Sequence, residues 1–280
     1  MMRFARPGAM LAPSCLVLVV LFLAPMGYFL LQSFWQIKDY MLDMSFTLAN
    51  YGALIQQYGA CWVFTLEIAA LIAVISTVGA FFLAYYAHFK AGKYEGLILF
   101  LTLMTLFGGY LVKVYAWKTI LGVDGIINSA LLALHIIRQP LGGLLYTPFA
   151  VVVTLVNFLL PFAVLPIYAS IRTTDPRTLE GARDLGATPW QVWRDILIPQ
   201  TATGIVTAFS LSFLLAAGDY VTPQLVGGTE SVMIGNFIES QFVDLLNAPL
   251  GAAMSFAVLG SCLAIVGVAR LGLLRIGRQK

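Results

Sequence analysis

The chain has 280 residues, of which 60% are hydrophobic and 10% charged, with a formal net charge of +3. Soluble domains carry about 25% charged residues, so water is excluded as the solvent for most of this chain. The small positive excess is scattered between apolar runs, which excludes a nucleic-acid groove that tracks phosphates.

A membrane-crossing helix needs about 20 consecutive apolar residues, because backbone polar groups in lipid must be satisfied within their own segment. Six stretches meet that requirement in chain order: Leu11 to Leu31, Ile68 to Ala87, Gly96 to Val112, Thr147 to Ile171, Gln200 to Gly218, and Leu245 to Ala269. None contains Asp, Glu, Lys or Arg. The sequence therefore predicts an all-α integral membrane protein with six transmembrane helices, forming a single domain over residues 1–280. Arg3 and Arg6 give the first run the look of a signal peptide, but it exceeds a signal core and five further runs follow, so it is expected to be retained.

Basic residues orient the spans, since cytoplasmic flanks carry excess Lys and Arg. Twelve lie on one side: Arg3, Arg6, Lys90, Lys93, Arg172, Arg177, Arg183, Arg194, Arg270, Arg275, Arg278 and Lys280. Four lie on the other: Lys38, Lys113, Lys118 and Arg138. Both termini and the segment 172–199 are therefore expected in the cytoplasm. An even number of crossings agrees.

The outward segments, about 32–66, 113–146 and 219–244, carry with their flanks Trp35, Trp62, Trp117, Tyr110, Tyr115, Tyr146 and Tyr220. Rings at such positions are first of all interface anchors. Cys15, Cys61 and Cys262 are widely spaced in apolar context and read as small packing residues, not as a metal site or disulfide frame. His88 and His135 have no ligand-like neighbours and read as interface or solvent residues, so no metal is expected. Glu67 reads as a carboxylate at the start of the second span.

Residues 172–199, between the fourth and fifth runs, form the most charged stretch. Asp175 followed by Pro176 is a helix start, and Gly186 is suited to end that helix in a left-handed conformation. Thr188, Pro189 and Gln191 supply a second start with a capping box. Two short helices joined at Gly186 and Ala187 are expected. On the first, Leu179, Ala182 and Arg183 lie within one turn of one another, with Glu180 and Asp184 on a neighbouring face. Such a helix suits another protein's groove; an amphipathic helix resting on headgroups is the plainer alternative.

Glu180, Gly181 and Ala182, then Gly186, then Ile196, Ile198 and Pro199 stand at the spacing of the coupling loop of type I ABC importer permeases, which this sequence resembles. Gly181 replaces the usual Ala and Ile198 the usual Leu. The resemblance implies the permease fold of that family, with 172–199 as a coupling loop that fits a cleft on a separate ATPase subunit and drives alternating access. The chain has no phosphate-binding loop of the GlyxxxxGlyLys(Ser/Thr) type, so no cofactor is expected in it, and the resemblance assigns ATP and Mg to the partner. It further implies two ATPase subunits, a second and paralogous permease chain, an extracytoplasmic solute-binding protein, and a bacterial inner-membrane location.

The segments Tyr115–Leu131, Gly218–Gly228 and Met233–Phe242 resemble the spermidine/putrescine branch, in the subtype of the first of its two membrane subunits. Related systems carry opines, aminophosphonates and other amine-bearing solutes, so these classes stay open. An amine shed of water needs carboxylates and aromatic faces. Asp219, Tyr220, Glu239, Tyr115, Trp117 and Tyr110 are therefore candidates for the solute path, Asp219 foremost because it abuts a charge-free span; a solvated headgroup-level carboxylate is the alternative. Pro223, Gly227 and Gly228 read as a chain-breaking element of an outer gate.

A gradient-driven carrier would be expected to show ionisable groups within its spans or repeat symmetry. A membrane-embedded enzyme would need convergent nucleophile, base or metal ligands. The six runs offer neither, so an ATP-driven transport subunit, not an enzyme, is the expected function.

Overall fold

A computed structural model describes residues 16–39 and 41–278, the side chains of Pro176 and of residues 273–278 excepted. Arg3, Arg6, Cys15, Lys280 and positions 11–15 of the first expected span lie outside the described residues, as do the side chains of Arg275 and Arg278. The described chain is mostly helical, with one two-stranded hairpin. It divides into two units: the residues up to Ala60 with Phe237–Leu259, and Cys61–Asn236 with the chain from Gly260 onward.

In chain order, α1 is the apolar helix Leu16–Gln32, followed by antiparallel β1 (Gln36–Lys38) and β2 (Met41–Asp43). Then α2 runs Ala49–Phe89, α3 Glu95–Met104, α4 Tyr110–Leu121 and α5 Ile126–Ala133. The helix α6 spans Pro148–Ile171 and α7 Pro176–Asp184; α8 covers Pro189–Gln200 and α9 Ala202–Ala217. The single helical turn α10, Pro223–Gly227, precedes α11 (Ile234–Val243) and α12 (Ala248–Arg278).

In the smaller unit, Asn50 Nδ2 donates to the carbonyls of Ser33 at 3.0 Å and Trp35 at 2.7 Å, tying the hairpin's root to the start of α2. Phe242 of α11 meets Phe29 of α1 edge-on. Gly251 leaves the space that Phe242 fills: a Cβ there would lie 2.9 Å from the ring.

The larger unit is built on the packing of α6 against α9. Lipid tails are as apolar as Leu, so helices in a membrane associate by close approach and not by escape from water. Gly204 of α9 provides that approach: a Cβ on it would fall 2.6 Å from the Pro166 carbonyl oxygen. Around this crossing Ala80, Ala84, Ala163, Ile167, Ile171, Leu197 and Ala208 form a fully buried cluster.

Three described helices are long and apolar enough to cross a membrane: α2, α6 and α12 over Ala248–Gly272. Two bent pairs, Gly92–Phe107 with Tyr110–Ala133 and Pro189–Gln200 with Ala202–Ala217, raise this to five if each is one span.

Four expectations need correction. The second helix begins at Ala49, so Glu67 lies exposed within a continuous helix and not at its start; a charge ends an apolar run without ending a helix. The third run is not one helix but turns by 96°. Gly108 (φ −67°, ψ 119°) and Gly109 (φ −52°, ψ 142°) are extended and stop the ladder, and hydropathy does not register that. The fifth is only 16 residues, about 24 Å at 1.5 Å per residue, and bends by 71° from α8. Residues 223–227 are helical, not a chain break, because Pro223 sits at a first-turn position where its missing N–H is harmless; the breaks fall at Gly218–Tyr220 and Gly228.

Candidate functional site

Two of these breaks meet. Tyr110 is the first residue of α4, just past the bend at Gly108 and Gly109, and Asp219 lies in the break between α9 and α10. The Tyr110 hydroxyl donates to Asp219 Oδ1 at 2.6 Å and lies 2.7 Å from Thr222 Oγ1. Asp219 Oδ1 also accepts from the Val221 amide at 3.1 Å, so the carboxylate caps the turn that follows it. Its other oxygen, Oδ2, is buried and has no hydrogen-bond partner among the described residues.

Phe158 of α6 lies against this pair. Its ring packs against Tyr110, centroids 4.8 Å apart, and lies 5.4 Å from the ammonium of Lys113, one turn along α4. A carboxylate oxygen in want of a donor, beside a phenol and a second aromatic face, is what an ammonium group requires when it sheds water. Interrupted helices at membrane depth persist where they line a cavity or pack in protein.

Of the candidates for a solute path, Tyr110 and Asp219 are in contact and Tyr220 is adjacent, 39% exposed, its carbonyl accepting from Asn236 Nδ2 at 2.7 Å. Tyr115 is exposed on α4. Trp117 instead lines an apolar groove of about 620 Å³ with Ile68, Leu71, Ile75, Pro148 and Phe149. Glu239 is on α11, in the smaller unit.

The expected gate residues have distinct roles. Pro223 and Gly227 are buried, and a Cβ on Gly227 would come within 2.9 Å of Val151 and Ser231. Gly228 has φ +68° and abuts Tyr146, whose carbonyl oxygen would lie 2.7 Å from a Cβ there. Only glycine satisfies both demands. The Tyr146 amide donates to Val226 O at 2.9 Å, pinning α10 to the start of α6.

The loop 172–199 folds as its caps dictate. Asp175 accepts from the Arg177 amide at 3.0 Å, and Thr188 and Gln191 form a reciprocal capping box. Gly186, at φ +87°, ends α7 with its amide on Arg183 O and the Ala187 amide on Ala182 O, a Schellman closure. Leu179 is buried, Gly181 and Ala182 are half-buried, and Glu180, Arg183 and Asp184 are exposed. Leu185 is 92% exposed and Trp190 66%. This pair is not among the sequence candidates; its signal is a large apolar residue on either side of the Gly186 junction. On α8, Ile196 and Pro199 are half-buried, and Trp193 packs its ring against Tyr85, Phe81 and Phe82 at centroid distances of 4.6, 5.6 and 5.6 Å.

His88 is also more than an interface residue. Its Nδ1 lies 2.9 Å from Glu95 Oε1, which accepts from the Tyr168 hydroxyl at 2.8 Å. One carboxylate thereby joins the ends of α2, α3 and α6. Cys61 donates to Val232 O at 3.2 Å and Cys262 is buried.

The arrangement defines a class, a helical membrane permease with interrupted helices. A bacterial ABC transporter involved in importing the acidic polysaccharide alginate has a chain of the same fold, with a TM-score of 0.76 at 16% identity over 96% of this chain and 95% of that one. The chain belongs to the family of binding-protein-dependent transport system inner membrane components, whose model matches residues 97–276. It is similar to the spermidine/putrescine transport system permease protein PotB of Escherichia coli K12, 36% identical over 78% of this chain and 79% of the relative. The protein of the same description from Haemophilus influenzae is 33% identical over 89% of this chain and 83% of its own length.

Proposed function

We propose that this chain is the membrane subunit through which an ATP-driven importer passes a polyamine such as putrescine or spermidine. The observation that carries this reading is the spare, buried Oδ2 of Asp219 beside the Tyr110 and Phe158 rings. The spermidine/putrescine transport named for the relatives supports the same solute class.

In this reading the whole chain, residues 1–280, is one permease domain that crosses the inner membrane six times. The crossings are α1, α2, the bent pair α3 to α5, α6, α9 and α12. Both termini and the loop 172–199 face the cytoplasm. Two ATPase subunits hold ATP and Mg and dock on coupling loops, one on this chain and one on a second, paralogous permease. An extracytoplasmic binding protein delivers the solute.

The exposed Leu185 and Trp190 beside Glu180 and Arg183 support docking at this loop, because exposed apolar patches rimmed by charge mark interaction sites. Trp193 and Leu197 anchor α8 in the core, so movement of α7 is carried into α2, α6 and α9. A solute shifts an equilibrium between outward and inward states only by its differential affinity. ATP supplies the remaining bias.

The test is uptake of labelled putrescine by proteoliposomes containing the assembled complex and the binding protein. Uptake should require ATP and fall at least about tenfold in D219N, with ATPase docking intact, because a neutral amide forfeits a charge-assisted bond. Unchanged uptake in D219N would remove Asp219 from the path; uptake driven by an ion gradient without ATP would place the chain among secondary carriers.

A further inference from the structure

The ammonium of Lys113 sits where a cation is poorly stabilised. Its Nζ is buried without a hydrogen-bond partner among the described residues, with the Phe158 ring centroid 5.4 Å away. A desolvated ammonium without an anion is costly, and a single aromatic face offsets only part of that cost. The side chain also folds back toward the start of α4: a Cβ on Gly108 would lie 3.6 Å from Lys113 Cε. There the positive end of the helix dipole adds to the penalty.

Asp219 has the opposite deficit, since Oδ2 is buried and has no hydrogen-bond partner among the described residues. Tyr110 links the two. It donates to Asp219 Oδ1 at 2.6 Å, packs on Phe158 at 4.8 Å and precedes Lys113 by one turn of α4. Among the described residues, a carboxylate with one oxygen unpartnered and an ammonium without a hydrogen-bond partner thus flank one aromatic pair. Rotation about the four-carbon lysine stem moves its ammonium by several Å without moving the helix.

We propose that Lys113 is a tethered counter-cation for Asp219. It takes the Oδ2 position when no solute amine is there and withdraws onto Phe158 when one arrives. This rests on the reading of Asp219 as the anchor for the solute amine. The exchange keeps the carboxylate paired while the empty site changes its facing, so no bare buried charge is carried through the return step. It also makes solute affinity a competition that Lys113 sets.

The test is the concentration dependence of putrescine uptake by the reconstituted complex carrying K113M. Removing the competitor should lower the half-saturating concentration at least about fivefold and lower the maximal rate as well, while K113R stays near the parent. In a D219N background K113M should change neither quantity. An unchanged or raised half-saturating concentration in a normally assembled complex would overturn the proposal. So would loss of uptake confined to solutes with an acidic end, which would make Lys113 the receptor for that end.

A readout free of the solute's identity is cross-linking of a K113C/D219C pair by a short bifunctional reagent, in a complex lacking the native cysteines. Cross-linking supports the proposal and its absence overturns it. A complex that cross-links yet moves no putrescine when Lys113 and Asp219 are restored would retire the polyamine reading and leave the pairing standing.

Discussion

Tyr110 donates its hydroxyl to Asp219 Oδ1 across 2.6 Å, joining residues 109 positions apart at the point where two interrupted helices meet. The bond fixes the carboxylate with one oxygen engaged and the other left for a donor. A hydrogen bond to a charged group contributes about 1.5–3 kcal/mol, so Y110F is expected to lower putrescine uptake about tenfold while leaving the amount of assembled complex unchanged. Initial rates at parent level would show that Asp219 needs no such positioning.

Gly204 is where α9 comes closest to α6. In G204A the new methyl group would lie 2.6 Å from both the Pro166 carbonyl oxygen and Ser170 Cβ, so the helices must part. Overpacking of this kind costs about 1–3 kcal/mol. Thermal unfolding in detergent should shift to lower temperature, and G260A, where a Cβ meets nothing within 4 Å, should not shift it comparably.

The first loop helix carries Gly181 in an open position, where an added methyl group would meet nothing within 4 Å. Alanine there removes the entropic penalty of glycine, about 0.5–1 kcal/mol within a helix. G181A should tighten ATPase docking modestly and preserve transport. Weaker co-purification of the ATPase with G181A would argue that the extra freedom of α7 is used in docking.

Trp193 is the link between the loop and α2, through Tyr85, Phe81 and Phe82. Truncating a packed aromatic residue costs about 3–5 kcal/mol when fully buried. W193A should leave the exposed face of α7 able to dock while loosening its hold on the core. The expected outcome is ATP hydrolysis that continues with uptake reduced several-fold, measured side by side on one preparation. Equal loss of both activities would place Trp193 in overall stability alone.

The hairpin offers a pH prediction. The hydrogen bond from Lys38 Nζ at 2.8 Å, aided by the Ser45 amide at 3.0 Å, lowers the Asp43 carboxyl to about 2. A depressed folded value means that the contribution is present above the ordinary value of 3.8 and is lost as pH falls through about 2. A carboxyl-carbon NMR titration should find Asp43 near that low value in the parent and closer to 3.8 in K38M; identical titrations in both would contradict the pairing.

The loop is legible in the sequence because its signals are local. Asp175, Pro176, Gly186, Thr188 and Gln191 each act on amides within a few residues, so their meaning does not depend on the rest of the fold. The third and fifth apolar runs are less so. An apolar run records solvent preference, and Gly108 and Gly109 interrupt the backbone without changing that preference. Asp219 stands out as a charge at the edge of an apolar run, but its pairing with Tyr110 and the setting of Lys113 come from contacts far apart in sequence. Glu95, His88 and Tyr168 are hidden for the same reason, since Tyr168 lies 73 positions from Glu95.

The most direct measurement is site-specific cross-linking from A182C, with the native cysteines replaced, in membranes that contain the assembled importer. If 172–199 is the handle through which the ATPase drives the core, A182C should cross-link to the ATPase subunit and resist an impermeant thiol reagent added outside intact cells. Labelling from outside, with no ATPase adduct, would contradict the orientation and the coupling together.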